Sequence, residues 1–466
     1  MKTTQKIGFG LALFVLGLTL LIPPLNGLGQ AGWNTIGLTL FFLILLVTEA
    51  LPLSVSCLFT IGLTPLFGVT ANFAGAVAGF AHPVLFFVMA SFAIAAAIMN
   101  VPITKRILLW LLKRAGNDVR RILFAIMVAT GITSFFMSNV PTCAIMMSIA
   151  LEFVNSLEEG PEKRSIGKAF MIGVPVATMI GGISTPASSS LNLLAIGLLE
   201  QHAGVTISFV QWMILAVPLV LVFIPLAWFL IVKVYKPAEI SPEKIIAYRE
   251  AIAEQTKEPI GKKEALVIGI MLLMLGLWIS TSWVTAFEIF TVSMLGATLF
   301  FLPGVQVLTW KKFLPTMNWD IIFISGVVLT IAGALVTNGV TAWMVDTLYP
   351  EHLELSARVL VGFAALIAFV MALVITSAPA LITVLAGPFA AIALANGVPP
   401  AYLAILLAIC AGNCYLFPLD TVQLLTYSKG YYRMTDMCRS TIFLQLGMIV
   451  ALAFWLPFMG GILGIA

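Results

Sequence analysis

Long apolar runs separated by short polar interruptions organise this chain throughout its length. Runs of spanning length, about 20 residues, begin near Ile7, Trp33, Leu53, Val84, Lys168, Ser208, Ala265, Phe287, Trp319, Tyr402 and Thr441. Two further runs, 122–157 and 355–397, are broken in the middle by polar tips carrying proline, Met137-Ser138-Asn139-Val140-Pro141 and Ile375-Thr376-Ser377-Ala378-Pro379. In lipid a backbone must satisfy its own hydrogen bonds. A broken helix therefore persists only where it is buried in protein or lines a wet cavity, and matched breaks in two halves mark a transporter's binding site. The pattern predicts eleven transmembrane helices plus two re-entrant helical hairpins.

Composition agrees with that class. The chain is 61% hydrophobic and 9% charged, with mean hydropathy +1.09, whereas a soluble domain carries about 25% charged residues. An all-α polytopic membrane protein follows. The first run, Ile7 to Leu25, follows Lys2 and Lys6 as a signal peptide would, but it is long and no small-residue cleavage site precedes Trp33, so it reads as a retained span. Cys57, Cys143, Cys410, Cys414 and Cys438 lie mostly in apolar segments without the close pairing of zinc or redox sites, and read as reduced packing residues.

The net charge of +4 matters less than where the charges fall. If the two broken runs enter and leave on one side, a cytoplasmic N-terminus puts every one of the 24 Lys and Arg residues except Arg358 on the cytoplasmic face and the C-terminus outside. Reading either broken run as a single crossing reverses everything downstream and spoils this asymmetry. The expected location is the plasma or inner membrane.

One long polar segment, 235–264, divides the chain as a cytoplasmic linker. It separates a first repeat, 33–234, which follows the first span in 1–32, from a second, 265–466. Landmarks recur at a nearly constant offset: Leu66-Phe67-Gly68-Val69 against Leu302-Pro303-Gly304-Val305, Asn100 against Asn338, and tip residue Ser138 against Thr376. Each repeat holds an odd number of full spans, so the second is inverted relative to the first.

A second pair of interruptions follows the hairpins, Gly181-Gly182-Ile183-Ser184-Thr185-Pro186-Ala187-Ser188-Ser189-Ser190-Leu191-Asn192 in span five and Gly412 through Gln423 in span ten. Gly, Ser and Pro at this density predict unwound backbone in mid-span. Half-helices starting near Thr142 and Ala380 would present unpaired N–H groups and partial positive charge, which suits an anion. Freed carbonyls and the side chains of Ser138, Asn139, Ser188 and Thr421 suit a small cation.

At these residues the chain resembles the divalent anion/sodium symporter family, transporters of dicarboxylates, citrate and sulfate. The resemblance spans essentially the whole sequence. It rests on Thr48-Glu49-Ala50-Leu51-Pro52, Ala81-His82-Pro83-Val84, the Ser138-Asn139-Val140 tip, and Gly181-Gly182 with Thr185 and Asn192. It implies a homodimeric elevator in which a scaffold, 1–121 and 265–353, holds a moving transport domain, 122–234 and 354–466. It also implies a substrate site at Ser138, Asn139, Val140, Ser189, Thr376, Ser377, Ala378 and Thr421. Cation sites, for Na⁺, are implied at Ser134, Ser138, Asn139, Ser188, Thr376, Ser377 and Asp420, with no other metal expected. The chain departs from the family pattern where Val140 and Ala378 replace threonines and where Thr421-Val422-Gln423-Leu424 replaces Thr-Pro-Pro-Asn. The first site thus looks nearly intact and the second altered.

Asp420 admits two readings. An ionisable group in mid-span costs about 2.5–3.5 kcal/mol on insertion scales and so calls for a partner, an ion or a proton; alternatively it caps the half-helix starting near Thr421. Ser138 and Asn139 could likewise act as caps. Glu49, at a cytoplasmic span boundary, reads as a solvated or hydrogen-bonding scaffold residue. The segment around Lys105, Arg106, Lys113 and Arg114, interleaved with Ile107, Leu108, Leu111 and Leu112, reads as an amphipathic helix braced at lipid headgroups. His82, His202 and His352 fall in predicted outward loops, and the motifs of zinc proteases and serine hydrolases are absent, which argues against an enzyme. Inverted repeats in one chain also argue against a channel built from subunit rings. The expected activity is cation-coupled transport of a small organic anion of dicarboxylate type, with proton coupling through Asp420, or sodium-independent exchange of dicarboxylates or sulfonates, as the alternatives. No nucleic-acid partner is expected; the bilayer is.

Overall fold

The computed structural model describes residues 3–284, 287–348, 355–375 and 377–465, so Thr376 and His352 lie outside the described residues. Among the described residues the secondary structure is helical and contains no strand. The first half comprises α1 (Thr3–Leu21), α2 (Gln30–Val47), α3 (Leu53–Leu66), α4 (Phe73–Ala76), α5 (Pro83–Met99), α6 (Ile103–Ala115), α7 (Val119–Ser134), α8 (Asn139–Asn155), α9 (Pro161–Gly181), α10 (Ser190–Ala203) and α11 (Phe209–Tyr235). The linker carries α12 (Pro242–Gln255). The second half comprises α13 (Lys262–Ser280), α14 (Ile289–Leu299), α15 (Trp310–Phe313), α16 (Trp319–Thr337), α17 (Val340–Leu348), α18 (Ala357–Val374), α19 (Ala378–Ala395), α20 (Pro400–Gly412), α21 (Thr421–Tyr427) and α22 (Met434–Ile462).

Among the described residues seven helices, α2, α11, α13, α16, α18, α19 and α22, are long and apolar enough to cross a membrane; α5 and α6, bent by 62° at their junction, make an eighth if they form one span. Shorter apolar helices stand at Gln5–Thr19, Leu53–Leu66, Ile289–Leu299 and Pro400–Gly412. This is an all-α polytopic membrane protein. Its lipid-compatible exterior shows in residues such as Leu221 and Phe443, 69% and 67% exposed, on helices whose opposite faces are buried.

Packing falls into two groups. Helices α7, α9 and α11 pack on one another, and α11 packs on α22, which in turn packs on α18; α20 joins α10, α18 and α19. In the other group α1 packs on α2, α2 and α16 on α3, and α5 on α14. Helix α16 is the principal bridge, touching α10 and α19 as well as α2, α3 and α5. Small residues permit its close approaches: a Cβ at Gly326 would meet the Phe80 ring at 2.6 Å, and Thr330 Oγ1 accepts from Gly79 N at 3.1 Å. At its far end Asn338 Nδ2 donates to Thr35 Oγ1 at 2.8 Å and to Val69 O at 3.0 Å, fastening α16 to α2 and to the turn after α3.

The amphipathic segment is helical as expected, with Thr104, Leu108, Leu112 and Ala115 buried. Its charges have a more definite partner than lipid. Arg106 Nε donates to the buried carboxylate of Glu264 at 2.7 Å, and its two terminal nitrogens donate to the carbonyls of Thr256 (2.9 Å) and Glu258 (2.7 Å). The linker thus docks on α6. Helix α12 also reaches α8, through Tyr248 Oη donating to Ile149 O at 3.1 Å, and the turn after α8, through Lys244 pairing with Glu158 at 2.9 Å.

His202 differs from expectation. It sits in the last turn of α10, buried beside a small cavity lined by α19 and α20, because the helix runs on to a left-handed Gly204 cap.

Candidate substrate and cation site

Four chain breaks define the site. The break between α7 and α8 covers 135–138, and α7 packs against α8 across it; α18 and α19 likewise pack together across 375–377. Helices α8 and α19 begin at Asn139 and Ala378, two or three residues earlier than the sequence predicts. Pro141 and Pro379 therefore lie inside the first turn. A proline there sacrifices only an N–H that has no intrahelical partner, and its fixed φ suits a helix start. Ser138 and Ser377, the N-cap residues, make no side-chain capping bond. Their hydroxyls stay available to a ligand.

The break in span five is real backbone unwinding: α9 stops at Gly181, a 3-10 turn covers Pro186–Ser188, and α10 starts at Ser190. Ser188 Oγ donates toward the carbonyls of Gly182 (2.7 Å) and Thr185 (2.6 Å) and accepts from Thr185 N (3.1 Å). Asn192 Nδ2 binds the same two carbonyls at 2.9 and 2.8 Å, and Thr185 Oγ1 donates to Phe135 O at 3.2 Å. This web holds an otherwise helix-averse loop against the first tip. Gly182 makes the fit possible, because a Cβ there would overlap Asn139 Oδ1. Ser134 Oγ donates to Thr178 O at 3.0 Å and lies 3.4 Å from Asn139 Oδ1.

Ser134, Asn139 and Ser188 are therefore brought together around Gly182, all buried. Their neutral oxygens, with the carbonyls of an unwound helix, are the donor type that a small hard cation accepts. Ser189 is the N-cap of α10, accepting from Leu191 N at 3.3 Å, while Val140 is 37% exposed beside the tip.

The span-ten break runs from the end of α20 at Gly412 to the start of α21 at Thr421. Asp420 is its N-cap. Asp420 Oδ1 accepts from Val422 N at 2.9 Å, and Gln423 Oε1 accepts in return from Asp420 N at 3.3 Å and Leu419 N at 3.1 Å. Gln423 Nε2 donates to Cys414 O at 2.7 Å, taking the stapling part that Asn192 has in the other break. Gln445 Oε1 supports the same loop by accepting from Tyr415 N at 2.8 Å; nothing in the sequence of α22 marks it out beyond being a polar residue inside an apolar helix. Thr421 is exposed at the start of α21.

The capping reading of Asp420 is thus realised, yet it does not exhaust the carboxylate. Asp420 lines a cavity of about 20 Å³ together with Met179, Ile375, Ala378, Cys414 and Gln423, and it joins no ion pair among the described residues. That volume holds about one water-sized occupant. The cavity also connects the two halves of the site. Ala378 belongs to the second tip, Met179 stands three positions before Gly182, and Cys143 of α8 contacts Val422 O at 3.4 Å. Of the residues expected at the second tip, Ser377 instead lines a separate cavity with Glu49.

Comparison with known proteins agrees with this architecture. Residues 3–464 match the family described as the sodium:sulfate symporter transmembrane region. The sodium-dependent dicarboxylate transporter SdcS of Staphylococcus saprophyticus is 28% identical over 446 residues, covering 90% of this chain and 84% of that protein. A membrane protein of Cupriavidus necator is 26% identical over 393 residues, covering 79% and 75%. Among solved structures, the Alcanivorax borkumensis YdaH transporter superposes with a TM-score of 0.54 at 14% identity, over 99% of this chain and 98% of that one. At that identity the likeness bears on the fold alone.

Proposed function

This chain belongs to the sodium:sulfate symporter family, a family of secondary anion transporters, and on that premise we propose that it carries a small organic anion of dicarboxylate type, coupled to a cation, by an elevator motion. The observation that carries the proposal is the cavity in which Asp420 meets Ala378 and Met179. It lies between the second tip and α9, one helical turn from the Gly182 oxygen cluster, so one carboxylate faces the place where both broken repeats converge.

In this reading α7–α8 and α18–α19 are re-entrant hairpins dipping from opposite faces between eleven spans, and the two repeats are inverted. The packing of each arm on its mate supports this. Residues 122–234 and 354–466 form the moving domain and 1–121 with 265–353 the scaffold of a homodimer, with the N-terminus in the cytoplasm. The N-termini of α8 and α19, with the hydroxyls of Ser138 and Ser377, attract the carboxylates of the substrate. Ser134, Asn139 and Ser188 hold one Na⁺. The second position rests on Asp420, where a charged ligand stands in for the hydroxyl missing at Ala378. Relatives named as sodium-dependent dicarboxylate transporters favour Na⁺ and a dicarboxylate.

Uptake into proteoliposomes tests the reading. Succinate, malate, citrate, sulfate and a sulfonate are supplied singly, with Na⁺, H⁺ or counter-substrate gradients imposed one at a time. Sodium-driven accumulation of succinate or malate is expected, together with counterflow of labelled substrate against an unlabelled internal pool. Flux without counterflow would mean a channel, and sodium-independent counterflow an exchanger.

A further inference from the structure

Helix α2 ends in an unusual way. Its C-terminal turn is closed by Ala50 N donating to Leu45 O (3.3 Å) and Glu49 N donating to Leu46 O (3.3 Å), the bond pattern of a Schellman motif. The residue after the cap in that motif adopts the left-handed conformation, which glycine accepts most easily. Here the position is held by Glu49, with φ of 47°. Ease of turning therefore does not account for the residue, whereas its carboxylate stands in a distinctive place.

That place is a cavity of about 350 Å³ between the α2–α3 turn and the tip of the second broken run. Glu49, Leu51, Pro52 and Leu53 line one side, Gln5 joins them from α1, and Ser377 closes the other. Gln5 Nε2 donates to the main-chain oxygen of Glu49 at 3.1 Å. The Glu49 side chain itself is exposed at the mouth of this cavity and makes no ion pair among the described residues. Its counterpart across the tip is Asp420. Ser377 faces the Glu49 cavity and the next residue, Ala378, faces the Asp420 cavity, so a single peptide step of the tip stands between two carboxylates.

We infer that Glu49 is a waiting position for the coupling cation, sited between the cytoplasm and the Asp420 cavity, and that it raises the barrier to the anion at the same point. The inference rests on the transport function proposed above. A fixed negative charge facing a partly dehydrated cavity concentrates cations and disfavours anions by the same factor, and at separations of several ångströms in an intermediate dielectric that factor is about fivefold. Glu49 belongs to the scaffold side and Ser377 to the moving side. In the elevator motion proposed above these two sides part and the shared cavity opens, which confines the effect to one face of the membrane.

The test uses oriented membrane vesicles, right-side-out and inside-out, with the full-length protein. Half-saturation by Na⁺ and by succinate is measured at constant ionic strength for the unmodified protein, Glu49→Gln and Glu49→Gly. Both variants are expected to raise the sodium half-saturation on the cytoplasmic side by about fivefold and to lower that for succinate there, leaving the external side unchanged. Glu49→Gly also relieves the left-handed residue, so it separates charge from turn geometry and remains informative if the Gln variant folds poorly. Unshifted half-saturation values, parallel shifts for both ions, or equal shifts on both faces overturn the role for Glu49 while leaving the transport function intact. Absence of sodium-dependent succinate flux in the unmodified protein overturns the transport function, and this role with it.

Discussion

Asp420 and Gln423 bond reciprocally across the first turn of α21: the carboxylate accepts from Val422 N at 2.9 Å, and the carboxamide accepts from Asp420 N at 3.3 Å. A capping box of this kind fixes the carboxylate in position while one side of it faces the cavity beneath the second tip.

Two substitutions separate cap from charge. Asp420→Asn keeps a good N-cap and is expected to change stability by less than about 0.5 kcal/mol, while Asp420→Ala loses the cap and about 1 kcal/mol. Both are expected to abolish or strongly weaken the cation dependence of uptake. Sodium titration of transport alongside thermal unfolding in detergent measures the two effects, and unchanged cation dependence in the Asn variant rejects the coupling role.

Gly182 is predicted to tolerate no side chain. Gly182→Ala drives a methyl group into Asn139 Oδ1 and displaces that oxygen from its place 3.4 Å from Ser134 Oγ. The overpacking cost is about 1–3 kcal/mol, with loss of transport well beyond what that destabilisation explains. Gly10→Ala, in α1 where the added carbon meets nothing within 4 Å, is the control and should transport normally.

Arg106 bears on assembly more than on transport. Arg106→Ala leaves Glu264, 3% exposed, without its partner and frees two linker carbonyls. Removing one member of a buried pair costs about 3–5 kcal/mol, and because Arg106 is 24% exposed the lower end is expected. Glu264→Gln should cost less, and the double variant should recover part of the Arg106→Ala loss in a thermal unfolding assay.

Topology is open to direct labelling. In a background without native cysteines, single cysteines at Lys113 and Glu159, which flank α7 and α8, are expected to react with a membrane-impermeant reagent from the same side. Cysteines at Arg358 and Asn396 are expected to react from the opposite side. Reaction of either flanking pair from two sides would make that broken run an ordinary crossing.

Much of this molecule could be read from residue order because glycine, proline and serine punctuate an apolar chain at the points where backbone must leave the helix. The unwinding at 182–189 and 413–420 was legible for that reason. The helices at the tips start two or three residues before the points the sequence predicts, because each proline sits within the first turn and does not precede it. Contacts between distant segments left no local trace. Nothing near Arg106 announces a partner at Glu264, nothing near Glu49 announces Ser377, and the buried face of α12 is too short and too polar to declare that Tyr248 inserts beneath α8. The roles of Ser188 and Asn192 as staples of their own loop were similarly hidden, because a hydroxyl or amide in a break looks the same whether it meets a ligand or a neighbouring carbonyl.

The docking of the linker carries a mechanical consequence. Helix α12 is fastened to α8 through Tyr248 and to the turn after α8 through Lys244, and α13 follows only after the six residues Thr256 to Gly261, of which the Thr256 and Glu258 carbonyls are gripped by Arg106. Six residues reach at most about 20 Å when pulled straight. In the elevator motion proposed above, where α8 slides past α6, this leash would cap the length of the stroke, and the grip of Arg106 would set how much of it is free.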